Sequence, residues 1–142
     1  MKCLGRTLSA ILWIAISGFA APISYSSYLG AAGIDSATAV AVDSSGCILV
    51  AGWTESGGTS GVDAFVTKLS PDGKTVIWST PLSASGTDQA TSIAVSASGD
   101  VYVAGWTNSL NFPVQNAFQG RHGGARDAFL AKLTSSGAVA FI

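Results

Sequence analysis

Charge is scarce in this sequence. Asp, Glu, Lys and Arg make up 11% of its 142 residues, and Lys68, Lys74, Arg121, Arg126 and Lys132 are scattered, so no basic stripe exists for nucleic acid or anionic lipid. Cysteine is nearly absent: only Cys3 and Cys47 occur, too few for a disulfide-framed fold. There is one histidine, His122. No His/Cys/Asp grouping has zinc spacing and no Asp-rich calcium loop is present, so neither metal nor cofactor is expected. Also missing are a 3.6-residue apolar stripe of useful length and the run of about 20 apolar residues that a spanning helix needs.

What is there begins with a targeting pattern. Lys2 and Arg6 form a basic start, residues 8–16 are almost entirely apolar, and small residues surround Ala20 and Ala21. That layout predicts a signal peptide over residues 1–20, cleaved after Ala20 with Gly18 and Ala20 at the −3 and −1 positions. Pro22 ends the apolar run, which argues against an uncleaved anchor, and Cys3 precedes that run, so no lipid-modified cleavage cysteine is suggested. The mature chain carries five basic and eight acidic residues, a net charge of −3 with His neutral. It is expected to be exported to the periplasm, the medium or the cell surface, with no membrane span after cleavage.

The rest of the chain copies itself. Residues 25–56 return as 78–109 at an offset of 53, and residues 63–69 return as 127–133 at an offset of 64, so the second copy holds 11 more residues. This divides 21–142 into repeat 1 at about 25–77 and repeat 2 at about 78–142. In the first copy, strands are expected at 37–42, 48–53, 65–69 and 75–78, joined in pairs by the turns Asp43-Ser44-Ser45-Gly46 and Ser70-Pro71-Asp72-Gly73. The second copy repeats the plan at 91–95, 101–106, 128–133 and 138–142. Four short strands per copy in tandem predict an all-β fold of two four-stranded antiparallel β-propeller blades. Alanines in the first strand of each copy suit strands crowded near an axis.

Tyr25-Ser26-Ser27-Tyr28-Leu29-Gly30, Ala41-Val42-Asp43-Ser44-Ser45-Gly46, Val50-Ala51-Gly52-Trp53-Thr54 and Asp63-Ala64-Phe65-Val66-Thr67-Lys68-Leu69 resemble the bacterial SBBP-type β-propeller repeat. Asn111-Phe112-Pro113 and Ala117-Phe118-Gln119 match the loop such repeats carry between their second and third strands. The resemblance implies an exported or cell-surface protein of repeated blades, usually in long arrays and mostly without an assigned activity. Pro81 and Ser83 replace Tyr28 and Gly30, making the link between copies atypical. Propellers close with about 4–8 blades, and here two are present, plus an opening segment at residues 23–29 that reads as the last strand of a preceding blade. An incomplete propeller is expected, either one piece of a longer array or a homo-oligomer in which three chains close six blades.

Candidate sites are few. Phe112, Phe118, Arg121 and His122, in the long loop of the second copy, are the candidate ligand-binding residues, in a pocket for a protein or glycan partner. A solvated Gly-rich loop is the plainer reading of His122, because no triad accompanies it. Asp35 with Asp88, and Asp63 with Asp127, occupy equivalent positions; a ring of cation ligands is one reading, and carboxylates fixing their own turns the better one. Trp53 and Trp106 suit packing between blades better than sugar stacking. Cys47, just after a tight turn, reads as an exposed thiol without an activating neighbour. Gly73-Lys74-Thr75 lacks the upstream glycine of a phosphate loop, and Gly58-Thr59-Ser60-Gly61-Val62 fails as a nucleophile elbow. No catalytic residue is assigned. The chain reads as a scaffold or interaction module without catalysis, with a carbohydrate-binding module or a polysaccharide-active hydrolase or lyase fragment as the alternatives.

Overall fold

The structure is a computed structural model that describes residues 25–30, 32–55 and 61–142. The signal peptide, its cleavage site, and most of the Gly58–Val62 motif lie outside the described residues.

Two antiparallel sheets of four strands follow one another along the chain. The first holds β1 (Asp35–Val42), β2 (Ile48–Thr54), β3 (Asp63–Leu69) and β4 (Val76–Leu82), and the second β5 (Asp88–Val95), β6 (Val101–Thr107), β7 (Asp127–Leu133) and β8 (Val139–Phe141). Each sheet has its strands in chain order, the meander of a propeller blade. The hairpins close on the expected turns. Gly46, Gly73, Gly99 and Gly137 donate their N–H groups to Asp43, Ser70, Ser96 and Thr134, and all four glycines have positive φ, which side chains resist.

β4 runs four residues past its expected end, through Pro81 to Leu82. A proline is tolerated there because β4 is the outer strand of its sheet, where one row of backbone groups needs no ladder partner. Both inner strands bulge at equivalent places, Thr38 in β1 and Thr91 in β5. Opposite each bulge stands a glycine, Gly52 or Gly105. A methyl at Gly105 would run into the Gln89 carbonyl and the Phe129 ring, as one at Gly52 would run into the Ser36 carbonyl.

The alternation of each strand sorts its residues onto two faces. The front face of blade 1, with Leu49, Ala51, Ala64, Val66 and Leu82, packs on the back face of blade 2, with Ala90, Val101, Val103, Phe129, Ala131 and Leu133, in one buried cluster. β5 fits against β1, β2 and β3 of the first blade. Burying each Leu or Val there stabilises the pair by about 1.5–3 kcal/mol. Polar links cross the same interface: Thr38 Oγ1 donates to the Ala90 carbonyl at 2.7 Å, Trp78 Nε1 to that of Ser135 at 3.1 Å, and Thr80 Oγ1 to that of Gly137 at 2.7 Å.

Residues 25–30 form no strand but lie on the back face of blade 1, where the Tyr25 hydroxyl donates to the Gly73 carbonyl at 2.6 Å. Tyr25 thus covers Gly73 as Trp78 covers Gly137. The opening segment takes the place of a preceding blade's fourth strand without forming one.

Two expectations are corrected. Cys47 is buried, not exposed, because the Asp43 carboxylate accepts its N–H at 3.0 Å and folds the start of β2 inward. Of the two tryptophans expected between blades, Trp53 stands on the front face of blade 1, which meets blade 2, whereas Trp106 lies on the front face of blade 2 with the Arg126 guanidinium 3.7 Å over its ring.

Candidate functional site

A hollow lies at the outer edge of blade 2. β4 pairs with β3 as far as Ala64, but β8 pairs only with Leu133 and Lys132. The flank of Ala128, Phe129 and Leu130 is therefore left without a fourth strand, and the loop of residues 109–126 folds over it. Between loop and strand lies a cavity of about 740 Å³.

The root of this loop is held firmly. Asp88, fully buried, accepts the Thr107 hydroxyl at 2.5 Å, the Ser109 hydroxyl at 3.0 Å and the Ala84 N–H at 2.7 Å. Asn108 and Asn111 side-chain oxygens accept the Thr87 and Ser85 N–H groups at 2.6 and 3.2 Å. These bonds tie the loop's start to the turn before β5. Its middle is tied where Gln115 and Ile142 exchange backbone hydrogen bonds at 3.2 and 3.0 Å.

All four candidate residues line this cavity. Phe112 stacks on Phe129 with ring centroids 4.9 Å apart and tilted by 31°. Phe118 is fully exposed, and Arg121 also lines the cavity. His122 is not the solvated side chain its glycine neighbours suggested: its side chain is 9% exposed, with Nε2 3.4 Å from the Thr107 carbonyl. Its Nδ1 is 3.8 Å from Asp127 Oδ2, a Coulombic neighbour beyond hydrogen-bond distance, while that carboxylate accepts the Gly123 N–H. The wall chemistry is aromatic and apolar with one guanidinium, one imidazole, the Asp127 carboxylate and the polar side chains of Thr107, Ser109 and Gln119. Leu130, Phe141 and Ile142 complete it. Sequence reasoning missed these three; the alternation of β7, which puts Leu130 on the face of Trp106, was the available signal.

The repeated aspartates fall into line. Asp35, Thr54 and Asp63 are cross-strand neighbours in blade 1, as Asp88, Thr107 and Asp127 are in blade 2. In blade 2 both carboxylates accept backbone N–H groups of their own turns. Among the described residues, no three His, Cys, Asp or Glu side chains are grouped to hold a metal ion. No buried side-chain nitrogen or oxygen lacks a hydrogen-bond partner among them. Elsewhere, Lys68 beside Asp43 and Lys132 beside Asp100 hold those carboxyls below the usual range, and the Ser70 hydroxyl does the same for Asp72.

A family model for the beta-propeller repeat SBBP matches residues 24–58 and 77–113, just over half of the chain. The chain belongs to the SBBP beta-propeller repeat family. The two matches start 53 residues apart, the internal offset, at the fourth-strand positions occupied by Tyr25 and Trp78. The second SBBP match thus runs from the last strand of blade 1 into blade 2, and its frame is shifted by one strand from the sheets. No curated protein matches the chain.

Proposed function

We propose that this chain is an exported structural or protein-interaction module that works through its blade surfaces and turns over no substrate. The observation that carries this reading is that the conspicuous polar groups serve architecture. Asp88 and Asp127 hold turns, and Asp43 and Asp100 neutralise lysines. A carboxylate held below its usual pKa is a poor general acid at neutral pH, and a fully enclosed Asp88 faces no substrate cleft. A panel of ester, glycoside and phosphate substrates tests the reading: no turnover is expected, and sustained turnover by the purified chain overturns it. Export rests on the pattern of residues 1–20, and N-terminal sequencing of secreted material is expected to start at Ala21.

A second reading is favoured by the cavity itself. Phe112, Phe118, Arg121 and His122 converge on it, and an aromatic wall with a guanidinium suits a sugar ring. Trp106 on the neighbouring strand makes sugar binding visible as a change in tryptophan fluorescence. No change, together with a flat glycan array, removes this alternative. The hydrolase or lyase alternative needs Asp35, Asp63, Asp88 or Asp127, and fails if any detected activity survives their joint replacement by Asn.

A further inference from the structure

The two faces that meet inside the chain have near copies that meet no other sheet among the described residues, only residues 25–29 on one and the 109–126 loop on part of the other. On the back face of blade 1, Val40, Val42, Ile48, Val50, Phe65 and Leu69 hold the register positions of Ile93, Val95, Val101, Val103, Phe129 and Leu133. The latter six lie in or against the buried cluster, yet Val40 and Val42 are 66% and 62% exposed. On the front face of blade 2, Ala104, Trp106, Leu130 and Lys132 repeat Ala51, Trp53, Val66 and Lys68, and Leu130 is 54% exposed where Val66 is fully buried.

A polar marker agrees. Thr38 at the first bulge contacts the Ala51 carbonyl of its own blade and donates to Ala90 of the next. Exposed Thr91, at the second bulge, keeps the within-blade contact with Ala104 at 3.2 Å, and no inter-blade acceptor stands opposite it among the described residues.

We propose that the front face of blade 2 docks on the back face of blade 1 in a second copy of this chain, head to tail, in the geometry of the internal interface. The copies of the internal faces single out this occupant: the chain already contains both halves of the joint, each shown to fit the other's counterpart. Thr91 Oγ1 then donates to the Ala37 carbonyl of the second copy, as Thr38 does to Ala90. The fourth-strand place is claimed by residues 25–29 of the arriving copy and by β8, and Phe141, paired only with Lys132, is the residue that shifts. A heterologous joint of this kind closes into a ring when the rotation per chain permits. With the two described blades in each copy, rings of about 4–8 blades take about two to four copies.

The inference rests on the interaction-module reading and deepens it by naming the partner. Light scattering on the full chain and on Leu130→Asp and Val40→Asp, with near-ultraviolet circular dichroism to confirm native packing, tests it. The wild-type chain is expected to give a discrete mass of two to four copies. Each variant alone is expected to be monomeric, with dissociation at least about tenfold easier because a bare carboxylate enters an apolar joint. Mixed in equal amounts, the two variants are expected to form a one-to-one dimer, since each keeps the intact face the other lacks. Should a variant lose its native circular dichroism, Thr91→Val replaces it and is expected to weaken association several-fold.

A monomeric wild-type chain, unchanged assembly of both variants, or a monomeric mixture of folded variants overturns the proposal. A monomer that binds a different protein through these faces also overturns it while leaving the module reading intact. Substrate turnover by an assembled ring does the reverse.

Discussion

The third strand of each blade keeps its lysine while the lysine's partner changes address. Lys68 pairs with Asp43, first residue of its hairpin turn, at 2.8 Å, and Lys132 with Asp100, just after the corresponding turn, at 2.9 Å. The position of Asp43 is Ser96 in the second copy and that of Asp100 is Cys47 in the first, so the charge moved and the thiol was free to be buried. Because Asp43 and Asp100 sit below 3.8 in the folded chain, their contribution is complete above the unfolded value and is lost as pH falls through the folded one. Lys132 is raised above 10.5, so its share holds below that value and is lost as pH rises through the raised one. The melting temperature is expected to be flat between about pH 5 and 9 and to fall below about pH 4; in Asp43→Asn, which keeps the turn's acceptor oxygen, the acid fall should be shallower. At Asp88, replacement by Ala strands two hydroxyls and an N–H, and denaturant titration is expected to show a loss of at least about 2 kcal/mol. Gly105→Ala, with the Gln89 carbonyl in the way, is expected to cost about 1–3 kcal/mol, against little for Gly120→Ala, which meets nothing within 4 Å.

At the scale of the element, strand existence was legible because period-two alternation and Asp- or Ser-led turns ending in Gly are local signals. Strand length was not. β4 continues through Pro81, and β1 and β5 start at Asp35 and Asp88, because the ladder to a neighbour decides where a strand ends. The same ladder explains the cavity: Phe112, Phe118, Arg121 and His122 were visible as chemistry, but only the shortness of β8 beside β7 opens the space they line. Leu133, fully buried in the middle of the joint, tests the element's packing: Leu133→Ala is expected to lose about 2–5 kcal/mol in the same titration.

At the scale of the whole molecule, a single blade has two apolar faces and no core of its own, so stability resides in the joint between blades. Residues 25–82 expressed alone are expected to show no cooperative thermal transition by circular dichroism, whereas the full chain shows one. The amino-acid sequence alone determined the all-β class, the two copies, the four strands in each and the turns between them, since each of these is written in contacts a few residues apart or in a copy at a constant offset. Tertiary structure alone decided which of two equivalent faces is buried, why His122 is enclosed, and why Trp53 faces the next blade while its counterpart Trp106 does not. Those outcomes depend on what lies opposite a residue across a sheet interface, and equivalent positions in the two copies face different neighbours: Val66 meets the back of blade 2, while Leu130 meets solvent.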